Sequence, residues 1–206
     1  MGDRALLRRF DHRALADANR AAVACARELL ALEADEIEDV VPGARTVLVT
    51  LRPGAEPSHG VVELLGTSSV PPANDEPGRL VEIPARYGGE DGPDLEEVAA
   101  ISGLDSGRVV GAHTSVEYTV GFVGFSPGFA YLLGLDRTIE VPRLDTPRPR
   151  VPPGSIGIGG AYTGVYPRPT AGGWRLIGRT DVDLFEPSRD PPALLRPGDR
   201  VRFSPR

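Results

Sequence analysis

The period of the apolar positions changes several times along the chain, and each change marks an element. Residues 5–10, ALLRRF, read as a strand, and residues 14–32 are alanine-rich with apolar side chains at helical spacing. IEDVV (37–41) and TVLVTL (46–51) read as strands joined through Pro42-Gly43, a hairpin-like turn. Residues 60–66 predict a short helix, although β-branched Val61 and Val62 pull against it. SSVPPANDEPG (68–78) reads as a loop and RLVEIP (79–84) as a strand. The order β-α-β-β-α-β is that of a ferredoxin-like α/β sandwich and predicts a first domain over 1–82.

From Pro84 the texture changes. A glycine-rich turn leads into a helix that starts at Pro93 or Asp94, with Glu96 and Glu97 in its first turn, where acids suit the helix dipole. SGRVVGAH predicts a second short helix capped by Ser106. Beyond it come YTVGFVGF, SIGIGG, WRLIGRT, VDLFEP and DRVRFS, short apolar runs divided by Gly and Pro. Such spacing predicts a closed or nearly closed β-barrel over 83–206, and so an α+β protein of two domains.

Composition narrows the chemistry. All 23 basic residues are arginine, so no lysine is present to serve a Walker A loop, a Schiff base, a Ser–Lys dyad or biotin attachment. The single cysteine, Cys25, falls among alanines on the first helix and predicts a buried structural thiol, with neither a disulfide nor a zinc site. There is no long apolar run and no signal-peptide pattern, so the expectation is a soluble cytoplasmic protein with no membrane contact. Residues 137–206 carry 12 Arg against 7 acids, net +5, and residues 1–136 carry 11 against 22, net −11, which together give −6. The basic half lacks aromatic interleaving, which argues against nucleic acid and for a small anion, an acidic partner or solvated surface. No His, Cys and acid cluster has ligand spacing, so no metal is predicted; Asp91, Asp94, Glu96 and Glu97 read as helix-start acids.

Two motifs invite stronger readings and fail. Gly124-Phe125-Ser126-Pro127-Gly128 spells the nucleophile elbow G-x-S-x-G, whose oxyanion hole uses the N–H of the residue after the serine. Here that residue is Pro127, which has no N–H, and His12, His59 and His113 all precede the serine. Gly157-Ile158-Gly159-Gly160 begins like a dinucleotide fingerprint, but Tyr162 takes its last glycine position and no helix is predicted to follow.

Six blocks in register carry a resemblance: IPARYGGEDGPDLEEVA, GFSPGFAYL, VPRLDTPRPRVPPGSIGIGG, TGVYP, GGWRLIGRT and PGDRVRF, preceded by the N-terminal element order. Together they resemble the KipI family, also known as allophanate hydrolase subunit one and as the 5-oxoprolinase B subunit (PxpB). The resemblance implies a ferredoxin-like N-terminal domain and a cyclophilin-like C-terminal barrel. It also implies a paired cyclophilin-like subunit (allophanate hydrolase subunit two, or the 5-oxoprolinase C subunit) and a LamB/YcsF-type third subunit. With them it implies an ATP-dependent opening of the 5-oxoproline lactam, the ATP bound with or by the partners. Two other readings stay open: a KipI-like inhibitor of a sensor histidine kinase, and half of a urea- or allophanate-type carboxyltransferase.

For lactam opening, the candidate residues are these. Arginine binds carboxylate and phosphoryl groups through its fork, and proline-stiffened PRLDTPR presents Arg143 for substrate and Arg148 for catalysis. Their other reading is an ion pair to an acid such as Asp145, or to a partner. His113 is the candidate acid–base group, or else a helix-capping or core histidine. Phe125, Pro127 and Gly128 form a rigid turn that either lines a ligand surface or packs a barrel corner. Tyr166 and Trp174 wall a pocket or pack the core, and Arg179 follows a glycine where it can bridge strands.

Overall fold

The computed structural model describes residues 4–66 and 78–206, which fall into two compact units divided between Glu76 and Pro77. The loop expected at 68–78 lies, except for Gly78, outside the described residues.

In the first unit, strands β1 (Ala5–Arg9), β2 (Ile37–Pro42) and β3 (Thr46–Leu51) form an antiparallel sheet in the order β1-β3-β2. Helices α1 (Leu15–Ala31) and α2 (His59–Gly66) complete it. Alternation along β3 buries Val47, Val49 and Leu51, and these meet Ala18, Ala22, Cys25, Ala26 and Leu29 of α1. Small side chains on that face of α1 let the helix approach the sheet closely. Cys25 is buried, and burial pushes its thiol pKa up, as expected of a structural thiol.

The strand expected at 79–84 does not join this sheet, which has three strands among the described residues. It runs as β4 (Leu80–Tyr87) in the second unit, parallel to the last strand β12 (Arg200–Pro205) from Leu80↔Arg200 to Ala85↔Pro205. Ile83 and Ala85 face the core there. The partner lies more than a hundred residues away, and the alternation of β4 carries no mark of which sheet will accept it.

The second unit also contains helices α3 (Leu95–Ser102) and α4 (Ser106–Thr114) and strands β5 (Tyr118–Val123), β6 (Ala130–Leu133) and β7 (Arg148–Val151). Strands β8 (Ser155–Gly159), β9 (Tyr162–Val165), β10 (Thr170–Gly172) and β11 (Arg175–Arg179) follow. Seven strands close a barrel in the order β11-β4-β12-β5-β6-β9-β8, with β8 pairing back to β11, and β7 and β10 form a separate ribbon. Ile83, Val120, Leu132, Ile156, Ile158, Ile177 and Val201 fill the core, joined by Val98 of α3 and Val109 of α4. Closure leaves the barrel no open edge. VDLFEP makes only an isolated bridge, Phe185 to Ala193, rather than a strand. Asp105, not Ser106, caps α4, its carboxylate accepting from the Arg108 N–H at 2.8 Å.

The failed dinucleotide motif has a packing role. A Cβ on Gly159 would lie 2.5 Å from the indole of Trp174, and one on Gly157 would lie 3.1 Å from the Trp174 Cβ. Glycine is used here because the indole lies against the strand backbone.

Candidate functional site

The hairpin between β5 and β6 carries GFSPG, so Ser126 is followed by a strand rather than the helix a nucleophile elbow requires. The turn is pinned by Phe129 N–H to Ser126 O at 2.9 Å and Gly124 N–H to Phe129 O at 3.1 Å. Phe125 sits at φ +68°, in the left-handed region that a non-glycine residue rarely adopts, at a cost of order 1–3 kcal/mol. Its ring is 60% exposed, unusual for so large an apolar side chain. Gly128, at φ +81°, backs onto Phe185, where a Cβ would come within 2.6 Å. Only glycine fits there, and it fixes one end of the turn.

Beside this turn lies a small cavity of about 60 Å³, lined by Phe125, Phe129, Tyr131, Arg143, Tyr166 and Trp174 together with Gly172 and Gly173. Its walls are edge-to-face aromatic pairs: Phe125 on Phe129 with centroids 5.3 Å apart, Phe129 on Trp174 at 5.3 Å and Tyr131 on Trp174 at 5.6 Å. Phe122 stacks on Tyr131 across β5 and β6 at 4.2 Å and holds that wall upright. Gly172 admits the Tyr166 hydroxyl, which a Cβ there would meet at 2.5 Å.

Arg143 is exposed, with its guanidinium 5.8 Å from the Trp174 ring centroid. No carboxylate of the described residues pairs with it. The strap that carries it is tied on both sides: Arg175 Nε–H donates to Pro142 O at 3.0 Å, and Leu144 N–H donates to Gly173 O at 2.7 Å. Arg175 is itself held by Glu97 of α3. A cation with no carboxylate partner among the described residues thus stands at the lip of an aromatic well, on a backbone that is already fixed.

Of the other residues read from the sequence, Tyr166 lies in the wall, 2% exposed, and burial raises its pKa. Pro127 is exposed in the turn, and Gly128 faces Phe185 rather than the well. Arg148 does not line the cavity. It donates to Asp94 Oδ1 at 2.5 Å, while Asp94 Oδ2 accepts the Leu176 N–H at 2.6 Å. Asp94 is 6% exposed, so the pair ties β7 to β11 and the start of α3, and it replaces the free anion-binding role expected of Arg148. Asp94, read as a helix-start acid, directs no side-chain cap into α3.

His113 requires a second correction. It is fully buried, with Nδ1 2.8 Å from the Tyr87 hydroxyl and Nε2 2.9 Å from Thr163 Oγ1. The Thr163 hydroxyl donates to Gly157 O at 3.0 Å, so its oxygen accepts from Nε2–H and the Tyr87 hydroxyl donates to Nδ1. Burial lowers the His113 pKa to about 3, and the ring is neutral. With both nitrogens engaged inside the core, it links α4, β4 and β9 rather than exchanging protons with a substrate. Arg179 is half-buried at the end of β11.

Phe129 and Tyr131 are not among the site residues read from the sequence. The signal available is the alternation F-x-Y from the residue before β6 into it, which places both on one face. Ser126 Oγ is buried without a hydrogen-bond partner. A Ser126→Ala variant should therefore unfold at the same denaturant midpoint or a higher one, because no hydrogen bond is lost. A lower midpoint would mean that the hydroxyl is satisfied.

A chain of two compact units, one a closed barrel with an aromatic well, finds its relatives among carboxyltransferase domains. Residues 1–195 match the carboxyltransferase domain, subdomain C and D, and the chain belongs to that family. It is 48% identical over 170 residues to the 5-oxoprolinase B subunit of Escherichia coli O157:H7, covering 82% of this chain and 78% of that protein. It superposes on the crystal structure of TTHA0988 with a TM-score of 0.86 at 38% identity, over 98% of this chain. The chain spans 40% of the length of TTHA0988. The Kluyveromyces lactis urea amidolyase shares the fold, with a TM-score of 0.76 at 18% identity, over 99% of this chain and 14% of that one. No helix among the described residues is long and apolar enough to cross a membrane, and no group of three or more His, Cys, Asp or Glu gathers to hold a metal.

Proposed function

We propose that this chain is the B subunit of a 5-oxoprolinase, active only with its partners. The observation that carries the reading is its 48% identity, over 82% of its length, to a protein of that name. In this reading the three-stranded unit is a ferredoxin-like layer, the barrel is cyclophilin-like, and the partners are a paired cyclophilin-like subunit and a LamB/YcsF-type subunit. The assembly works in the cytoplasm and opens the lactam of 5-oxoproline to glutamate.

The lactam carbonyl is a poor electrophile. Transfer of the ATP γ-phosphoryl group to the amide oxygen makes that oxygen a leaving group. Water then adds at the carbonyl carbon and the C–N bond breaks with a proton delivered to nitrogen, which leaves the phosphoryl group on the new γ-carboxyl as an acyl phosphate. A second water at its acyl carbon releases phosphate and glutamate. The Arg143 well supplies this chain's binding contribution, and no proton transfer is assigned to His113 or Arg148.

The test is 5-oxoproline-dependent ATP hydrolysis by the reconstituted three-subunit assembly. Turnover should disappear when this chain is omitted, and Ser126→Ala should leave it within a few-fold. If the assembly forms and does not turn over, the 5-oxoprolinase reading falls, and the kinase-inhibitor or carboxyltransferase reading takes its place.

A further inference from the structure

We propose that the aromatic well is a carboxylate site for a small flat ring, with Arg143 holding the carboxylate and Phe125 closing over the ring. This rests on the well being the chain's functional site and adds what it binds and how it closes.

Arg143 is exposed and unpaired among the described residues, and the Pro142 and Leu144 backbone bonds fix its main chain, so an arriving anion has only the side chain to order. A guanidinium fork takes a carboxylate through two parallel N–H···O bonds. Below it, Trp174, Phe129 and Tyr131 offer faces and edges to a ring, and no described acid lines the cavity to repel the anion. About 60 Å³ leaves room for the edge of a five- or six-membered ring and excludes a nucleotide.

Closure follows from three separate features of the turn. Phe125 is held left-handed, its ring is mostly exposed, and the neighbouring Ser126 hydroxyl is buried without a partner. Gly124 has open space around its Cβ position, while Gly128 is wedged against Phe185. Gly124 stays hydrogen-bonded to Phe129 and Ser126, so the closing motion is a rotation of the Phe125 side chain. Swinging Phe125 onto a bound ring buries its exposed face.

Trp174, the only tryptophan, reports on the site without any turnover. The full-length chain is titrated with pyrrole-2-carboxylate, and with pyrrole-2-carboxamide as a neutral match. The acid should give a saturable change in Trp174 emission and the amide none. Arg143→Gln should weaken binding roughly tenfold, the scale of one charge-assisted pair near solvent. Phe125→Gly, which keeps the left-handed turn without steric cost, should weaken it several-fold. Circular dichroism should show both variants folded, since neither side chain is buried.

Equal binding of acid and amide, or no effect of Arg143→Gln, overturns the carboxylate site. An unchanged affinity in Phe125→Gly overturns the closure. A silent titration beside normal turnover of the reconstituted assembly removes this proposal and leaves the 5-oxoprolinase reading standing. Saturable binding without turnover does the reverse.

Discussion

Replacing Asp94 with alanine should destabilise the barrel unit by about 3–5 kcal/mol, the combined cost of a broken ion pair and a stranded buried N–H. The loss has two parts. Arg148 is left without its carboxylate, and the Leu176 N–H, also bonded to Asp94, is left without an acceptor in the core. Arg148→Ala should cost about 3 kcal/mol, because the 6%-exposed Asp94 carboxylate loses its cation and keeps only the Leu176 N–H. The two changes should be strongly non-additive in a double-mutant cycle followed by urea denaturation, with a coupling of about 1–3 kcal/mol. Additive losses would mean that the pair is not energetically joined. Because the pair also holds β7 and β11 beside Trp174, a loss of turnover in Arg148→Ala counts as evidence for catalysis only at matched folded fraction.

The second large effect is on pH dependence. In the folded protein His113 stays neutral down to a pKa of about 3, whereas in the unfolded chain it takes up a proton near its ordinary value of 6.5. Between those values the unfolded state binds the extra proton, so stability falls as pH falls through this window. The limiting slope from this one group is roughly 1 kcal/mol per pH unit. Above 6.5 the contribution is fully present and flat. His113→Leu keeps much of the volume, removes this slope, and strands the Tyr87 hydroxyl, which costs about 1–3 kcal/mol at neutral pH. Urea midpoints for both proteins at pH 7.5 and pH 5 should therefore converge towards the acid side. His12 and His59 are exposed and remain in both proteins, so the difference isolates His113. Parallel midpoints at the two pH values would mean that the imidazole takes up its proton equally in the folded and unfolded chain, and so is open to water.

Much of the fold was legible because its signals are local. The alanine face of α1, the alternation of β2 and β3, and the short glycine-divided runs of the barrel each carry their period within a dozen residues. Strand β4 was legible as a strand and misplaced as a member of the first sheet, since its partner in β12 is set by closure of the barrel. Three of the candidate residues come together in space. Arg143, Phe125 and Tyr166 do line one cavity, and the rejection of Ser126 as a nucleophile agrees with the strand that follows it.

The arginines and His113 show where sequence stops. Arg143 and Arg148 share one proline-stiffened stretch and look equivalent along the chain. Asp94 lies 54 residues before Arg148, and only folding brings it to one guanidinium and not the other. His113 ends a short helix like many reactive histidines, yet Tyr87 and Thr163 meet it from 26 and 50 residues away and fix it neutral. By itself the sequence determined the helices and many of the strands, that no lysine chemistry is available, and which family the motif blocks resemble, because these follow from residue type and short-range spacing. Tertiary structure alone decided which charges are paired and which remain open to a ligand. Pairing and burial depend on neighbours that are distant in the chain, and the ionisation and reach of each side chain depend on them.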